Sequence, residues 1–393
     1  MNLYIFTAEF PYGSGEPWLG EELPYLLKSF DRITLIPMAS FGELVARQLP
    51  HGIVCSAPII KSRTRYNLKG LYHNFRVLHV FLKDFFTSKV FLSIDRLHAW
   101  VIEYMHTNLI LSNSFVKEVK ANIKPDDIVY SYWGIDSYNL CVLWEGKAKF
   151  VSRFHGSYDL WERARGDYAP LRKLIAEKIH LAAPISKSGY DFLKDKYPKI
   201  NAKVCRLGAF DYGITTKSTD GIFRICSCAY LNSIKRVPLI FKSLEKMKNF
   251  KIEWTHIGDG EDRSILESMI KSNSNPDFNV NLMGRLSHEK VIEYYQNNPV
   301  DAFISLSSIE GIPVSIMEAI SFNIPVIGTD VGGTKEIVTD QTGVLISSNP
   351  TEEEVAVAVQ KLLEGCYTPK KYWQDNFNAI TNYSEFAKLL KSL

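Results

Sequence analysis

Short apolar runs separated by amphipathic stretches alternate along most of the chain. The first run, Asn2–Ala8, reads as a strand that ends in a Pro/Gly loop. The pattern then predicts a helix over Trp18–Ser29 and a strand over Ile33–Pro37. Further buried strands are expected at Asp127–Tyr132, Lys149–Phe154 and Leu181–Ile185, with a helix over Tyr168–His180. After residue 221 the alternation restarts. Strands are expected at Ile222–Ala229, Lys251–Ile257, Val280–Met283, Ala302–Leu306 and Pro325–Thr329. Between them lie helical patterns over Pro238–Lys246, Ser264–Ser272, His288–Gln296 and Pro313–Phe322, with a last sure helix over Glu352–Glu364. Strands separated by helices imply βαβ units and parallel sheets. The fold class is therefore α/β, with two Rossmann-like doubly wound domains. The polar, Gly/Thr-rich AFDYGITTKSTDG marks the boundary. The expected organisation is a first domain over 1–208, a linker over 209–221, a second domain over 222–375, and a helical tail over 376–393 that packs back on the first domain.

Composition narrows the class. At roughly 100–200 residues per domain, 393 residues suit two domains. Hydrophobic residues at 46% and charged residues at 23% exclude a disordered chain. Lys plus Arg is 46 against 43 Asp plus Glu, and a net charge of +3 gives no case for nucleic-acid binding. The six cysteines form no C-x-x-C pair and no zinc-finger spacing, so they read as reduced core thiols, with no metal site expected. MNLYIFTAEFPYG has no basic region ahead of its apolar residues and reads as a strand, not a signal peptide. No run approaches the roughly 20 apolar residues of a membrane span, which makes a cytoplasmic location the expectation. From 61 to 89 the basic residues Lys61, Arg63, Arg65, Lys69, Arg76, Lys83 and Lys89 face one acid, Asp84, with Phe and Leu interleaved. That mixture suits the anionic inner surface of a membrane, and equally a packed helix with a solvated basic face.

The most informative stretch is EGIPVSIMEAISFNIPVIGTDVGGTKEIV, from Glu310 to Val338. A strand ends in a small polar loop, and a helix begins near Pro313, a residue suited to a first turn. Gly311 permits close approach of backbone to a ligand. The helix start presents free N–H groups and a partial positive charge, which suits a diphosphate. Glu310 precedes the helix and Glu318 lies inside it, a rise on the order of 10 Å from the helix start. One carboxylate at each end of a diphosphate could hold sugar hydroxyls and ribose hydroxyls.

Glu310, seven residues, then Glu318 resembles the E-x7-E motif of retaining glycosyltransferases of family 4, whose fold is GT-B. The following NIPVIGTDVGGTKEIV resembles the same family, with Gly332, Gly333, Glu336 and Gly343 in register. CAYLNSIKRVPLI is similar to its phosphate-binding loop. The resemblance makes Lys235 the cation that neutralises the donor diphosphate. The family's Arg five residues earlier is Tyr230 here, and the adjacent Arg236 is the candidate replacement. THIGDGEDRSILE and VNLMGRLSHEKVIEYY resemble later loops, which makes Gly258, Met283, Gly284 and Arg285 donor-side candidates, the last three beside the base. Gly311, Ile312, Pro313 and Glu318 complete the donor set.

In the first domain, SRFHGSYDLWERARGDY resembles the family's His-Gly segment and places His155 beside the donor sugar, with Arg153, Asp159 and Arg163 as neighbours. FPYGSGE resembles the glycine-rich loop beside the diphosphate, through Gly13 and Gly15. Glu16, Glu21 and Glu22 follow at an ordinary charged helix start, with contact to an acceptor as the other reading. Ser186 reads first as a helix N-cap.

The resemblance implies two domains facing across a cleft that closes on a nucleotide diphosphate sugar, most commonly a UDP-sugar. The hexose goes to a glycan or lipid-linked glycan with retention of configuration, with no metal and no cofactor. His155, Lys235 and Glu310 are the expected catalytic residues. Readings from other classes are a GT-B nucleotide-sugar epimerase, against which EGIPVSIME counts, and a degenerate scaffold that binds nucleotide sugar without turnover. A nicotinamide dehydrogenase is excluded, because no G-x-G-x-x-G follows the first strand.

Overall fold

The structure, a computed structural model, describes every residue except 14, 41–44, 61–74, 157–158, 161–165 and 249, and at 75 and 76 the backbone only. Most of the basic stretch 61–89, and Arg163, therefore lie outside the described residues. The chain divides into two compact units, Met1–Cys205 with Tyr383–Leu393, and Arg206–Asn382.

The first unit holds strands β1 (Asn2–Thr7), β2 (Arg32–Pro37), β3 (Ile53–Cys55), β4 (Ile128–Ser131), β5 (Lys149–Phe154) and β6 (Leu181–Pro184). They form a six-stranded sheet in the order β3-β2-β1-β4-β5-β6, every pair parallel. Successive side chains alternate between faces. Leu3 and Ile5 of β1 join the core beneath helix Pro17–Leu27, while Phe6 joins the core on the other face. Both faces are covered, which is why β4 (IVYS) and β6 (LAAP) are buried throughout. Phe386, Ala387 and Leu390 of the last helix, Ala379–Lys391, pack into the same core as Leu3 and Leu23.

The second unit repeats the plan with β7 (Ile222–Cys228), β8 (Lys251–Ile257), β9 (Phe278–Gly284), β10 (Ala302–Ser305), β11 (Val326–Thr329) and β12 (Gly343–Ile346). The order is β12-β11-β10-β7-β8-β9, again parallel. Both sheets thus have the Rossmann order 3-2-1-4-5-6.

Four expectations change. Residues 209–221 are not a detached linker: Thr215 N donates to Phe322 O at 3.1 Å, its Oγ1 to Asn298 O at 3.0 Å, and Val300 N donates to Thr216 O at 3.1 Å. These bonds satisfy the segment's backbone against the second unit. The return of the tail to the first unit comes at Tyr383, because helix Pro369–Asn376 is anchored in the second unit by Trp373, whose Nε1 donates to Ala209 O at 3.1 Å. The helix expected over Tyr168–His180 shrinks to Arg172–Ala176, since Pro170 disfavours helical geometry before it and Leu171 sits at φ 58°. Of the cysteines, all free, Cys366 is exposed and not a core thiol. The edge strands β3 and β12, of three and four residues, carry too little alternation to be predicted.

Candidate active site

In the second sheet β7 and β10 are neighbours, while the strands that follow each lead away in opposite directions. The loops at their C-terminal ends therefore diverge and leave the crevice where doubly wound sheets bind ligands. The β7 loop runs over 229–236 and the β10 loop over 306–313. Ser308 N donates to Ile234 O at 2.8 Å, which holds the two loops together. Lys235 Nζ lies 2.5 Å from Glu310 Oε1, with the side chains 25% and 13% exposed. Asn232 Oδ1 accepts from Lys235 N at 3.1 Å and sets the turn that presents the lysine.

A third loop supports Glu310 from behind. Gly333 N donates to Gly311 O at 2.6 Å. Gly332 has φ +52°, and a Cβ there would sit 1.8 Å from Glu310 O, so no other residue fits. Helix Val314–Ser321 follows, with Pro313 at its N-cap and no side chain capping it. Its first N–H groups are thus available to an anion. Ile312 and Pro313 are buried beneath the loop. Glu318, one turn on and buried, lies with Oε1 3.0 Å from His288 Nε2. His288 escaped the sequence reading: it opens its helix behind the Ser287 cap, and nothing local marks its partner. Tyr212 packs 6.4 Å from the His288 ring and stacks on Phe322.

The remaining donor candidates separate. Arg236 is a strap, not a free cation: its Nε donates to Leu306 O at 2.5 Å, and its Nη2 donates to Ser307 O at 2.8 Å and Ser348 O at 2.9 Å. Gly258 is required by packing, because a Cβ would meet Ala229 O at 1.8 Å. Gly284 sits at φ +68°, where a Cβ would meet Arg263 Nη1 at 3.6 Å, and Met283 is exposed. Arg285 lies over the ring of Tyr230, its guanidinium carbon 5.9 Å from the ring centre. A cavity of about 530 Å³ in this unit, lined by Lys217, Asp301, Pro325 and Tyr367 among others, opens at the N-terminal ends of the strands, away from this crevice.

In the first unit His155 follows β5, the neighbour of β4. Asp159 fixes its backbone: Oδ2 accepts from His155 N at 2.9 Å, and Oδ1 from Gly156 N at 2.9 Å. Nε2 lies 2.9 Å from Tyr132 O, and since a carbonyl only accepts, Nε2 carries the proton and Nδ1 keeps its lone pair. Burial, and then the nearby Arg153 charge, pushes the imidazole down to about 3. His155 is therefore neutral near pH 7 and serves as a hydrogen-bonding group, not a proton donor. Between about pH 6.5 and 3 the unfolded chain binds the proton that the folded site excludes. Folding stability should fall as the pH drops through that window, by about 1.4 kcal/mol per pH unit for this group. Melting temperature against pH, compared with His155→Gln, measures it, and the variant should show the shallower acid limb.

The carboxylates around the first loop of this unit are engaged within it. The space in front of Gly13 and Gly15 is taken by the Glu9 side chain. A Cβ at either would lie 2.4 or 2.6 Å from a carboxylate oxygen of Glu9, which fills the space, and Glu9 Oε1 accepts from Gly15 N at 3.1 Å. Glu16 and Glu22, expected at a charged helix start, both have partners within this unit. The Glu16 carboxylate accepts from Ala8, Glu9 and Phe10 N–H groups at 2.7–2.9 Å and from Trp133 Nε1 at 2.8 Å, and so folds the β1 loop. Glu22 lies fully buried with its Oε2 3.0 Å from Arg153 Nη2. Ser186 is the N-cap expected, accepting from Gly189 N at 2.9 Å. The fold also gathers Glu103, His106 and Asp136, a donor set that would suit a divalent cation, with ligand atoms within 4.8 Å of one another. Their own bonds, Glu103 Oε1 accepting from Asp136 N and Asn139 Nδ2 at 2.7 Å each and His106 Nδ1 at 2.5 Å from Asp136, account for the grouping as a brace on the β4 loop.

Residues 217–376 match the family model described as glycosyl transferases group 1. The amylovoran biosynthesis glycosyltransferase AmsK of Erwinia amylovora is 25% identical over 301 residues, 70% of this chain and 73% of that protein. Among solved structures, the lipopolysaccharide outer core galactosyltransferase WaaB aligns over 100% of this chain and 99% of its own, at TM-score 0.71 and 16% identity. HepE of Anabaena in complex with UDP aligns over 100% of both chains, at TM-score 0.66 and 14% identity. These likenesses agree with the strand orders above, and the fold class is GT-B. Residues 217–376 are a glycosyl transferases group 1 domain, and the chain that carries them is a glycosyltransferase.

Proposed function

We propose that the chain moves a hexose-type sugar from a UDP-sugar to a glycan or lipid-linked glycan during assembly of a bacterial polysaccharide, with retention at the anomeric carbon and without a metal ion. The carrying observation is the Lys235–Glu310 pair at the β7/β10 switch point, beside the uncapped start of helix Val314–Ser321. A cation and a helix N-terminus together neutralise a departing diphosphate. Glu310 already holds a lysine, which is the reverse of a carboxylate arranged to bind a cation. Arg285, carried by Tyr230, supplies the second positive charge in place of Arg236, whose Nε and Nη2 donors are taken up by backbone carbonyls.

In the reaction the bond from the anomeric carbon to the diphosphate oxygen breaks, and the acceptor oxygen bonds to the same face. The acceptor's proton passes to the leaving phosphate oxygen. Glu310, exchanged off Lys235 when the donor enters, takes the sugar hydroxyls, and Glu318, oriented by His288, takes the ribose. His155 offers Nδ1 as an acceptor to a sugar hydroxyl, an orienting role. The UDP held by the Anabaena neighbour supports the choice of base, and the names of AmsK and WaaB support the setting. E-x7-E supports retention.

Thermal unfolding with UDP, GDP and ADP, in wild type and Lys235→Ala, tests the donor. UDP alone should raise the melting temperature, because a ligand at 100 times its Kd adds about 2.7 kcal/mol. The variant should lose the response. Equal responses to all three, or none, would overturn the reading.

A further inference from the structure

The first unit carries a helical hairpin whose tip and outer faces are apolar and exposed. Helix Phe75–Thr87 leads through the short 3-10 turn Val90–Leu92 into helix Ile94–Ser112. Phe86 is 66% exposed, Leu92 67% and Ile94 85%, with Phe91, Leu97 and Val101 exposed beside them. These residues form one surface. The Phe85 ring touches Phe86 at 5.4 Å, Phe91 at 6.0 Å and Trp100 at 5.6 Å, which joins the first helix, the turn and the second helix. Ile94, Leu97 and Val101, spaced i, i+3 and i+7, share one helical face. The hairpin is braced rather than loose: Trp100 Nε1 donates to Phe81 O at 3.0 Å, and Arg96 donates to Ser88 O at 3.2 Å and Gly166 O at 2.9 Å.

A rigid, exposed apolar ridge of this extent marks a binding surface. Its charges identify the occupant. Lys83 and Lys89 are exposed, Lys89 in the turn itself, Asp84 is buried, and Asp95 is the exposed acid among the described residues 77–101. An apolar tip with exposed lysines in and beside it matches acyl chains beneath an anionic headgroup layer. No helix among the described residues is long and apolar enough to cross a membrane.

We propose that this hairpin inserts its tip, Phe86, Phe91, Leu92 and Ile94, into the surface of an anionic lipid bilayer. The inference stands apart from the donor reading. The full chain should float with phosphatidylcholine vesicles that contain phosphatidylglycerol, less with phosphatidylcholine alone, and less as salt rises. Phe91→Ser with Leu92→Ser should lower partitioning about tenfold or more while the UDP response and melting temperature stay unchanged, because both side chains are exposed. Phe91→Trp should gain fluorescence that is quenched by lipids brominated on their acyl chains. Failure of the wild type to float, equal partitioning of the double variant, or an unquenched Trp at 91 overturns the proposal. A monomer–dimer equilibrium abolished by the double variant, without vesicle binding, would assign the ridge to a second copy of this chain instead.

Discussion

Lys235→Ala is expected to lower kcat/KM by two to three orders of magnitude, the range for removing one preorganised charge from a developing anion. The structure makes the loss larger than that of the cation alone. Glu310 Oε1 lies 2.5 Å from Lys235 Nζ in a half-closed setting, and without the lysine its carboxylate stands bare where the diphosphate must bind. Glu310→Gln keeps the shape and removes the charge, so it should lower kcat more than it raises KM, since the sugar contacts weaken while the phosphate contacts remain. The double variant supplies the sharper result. Residues that touch do not add, and Lys235→Ala with Glu310→Gln should bind UDP more tightly than Lys235→Ala alone, because the repulsion is gone. Titration calorimetry of UDP across the four proteins reads this directly. Full activity in either single variant would remove the pair from the site.

Arg153→Leu should destabilise the first unit by about 3–5 kcal/mol, the cost of leaving a buried charge without its partner. Arg153 and Glu22 are both fully buried with N and O 3.0 Å apart, Arg153 Nε donates to Tyr130 Oη at 2.8 Å, and the guanidinium lies 4.1 Å from the centre of the Phe386 ring. The carboxylate holds Arg153 protonated, well above the ordinary guanidinium range. At roughly 2–4 °C per kcal/mol for units of this size, the transition should drop on the order of 10 °C. Phe386 belongs to the last helix, so limited proteolysis should cut near the C-terminus sooner in the variant. Arg153→Leu combined with Glu22→Leu should recover much of the loss, because no unpaired charge remains. A double variant as unstable as the single one would show that the ion pair is not the cause.

Neighbouring residues decided what could be read without coordinates. The alternation of apolar runs with helical periods is a local property, and it located most central strands to within a residue or two, β5 and β8 without error. The segment from Glu310 to Val338 was legible for the same reason. A glycine pair, a proline and two carboxylates fall within one strand–loop–helix–strand unit, and their spacing fixes their placement. The pair Gly332-Gly333 gained its physical account only in three dimensions, where Gly332 proved to be pressed against the carbonyl of Glu310.

What the sequence determined by itself is the parallel α/β architecture in two halves, the glycosyltransferase character of the second half, and the loop and helix that carry Glu310 and Glu318. What only the tertiary structure decided is partnership. Arg236 follows Lys235 in the chain yet ties Ser307 to Ser348, while Arg285, far along the chain, reaches Tyr230. Glu22 pairs with Arg153, His288 with Glu318, and Glu9 closes over Gly13 and Gly15. The physical reason is range. Periodicity and turn chemistry act over a few residues, whereas a side chain's charge is committed by whichever carbonyl, carboxylate or ring the packed strands bring within about 3–6 Å, and strand order sets that across a hundred residues or more.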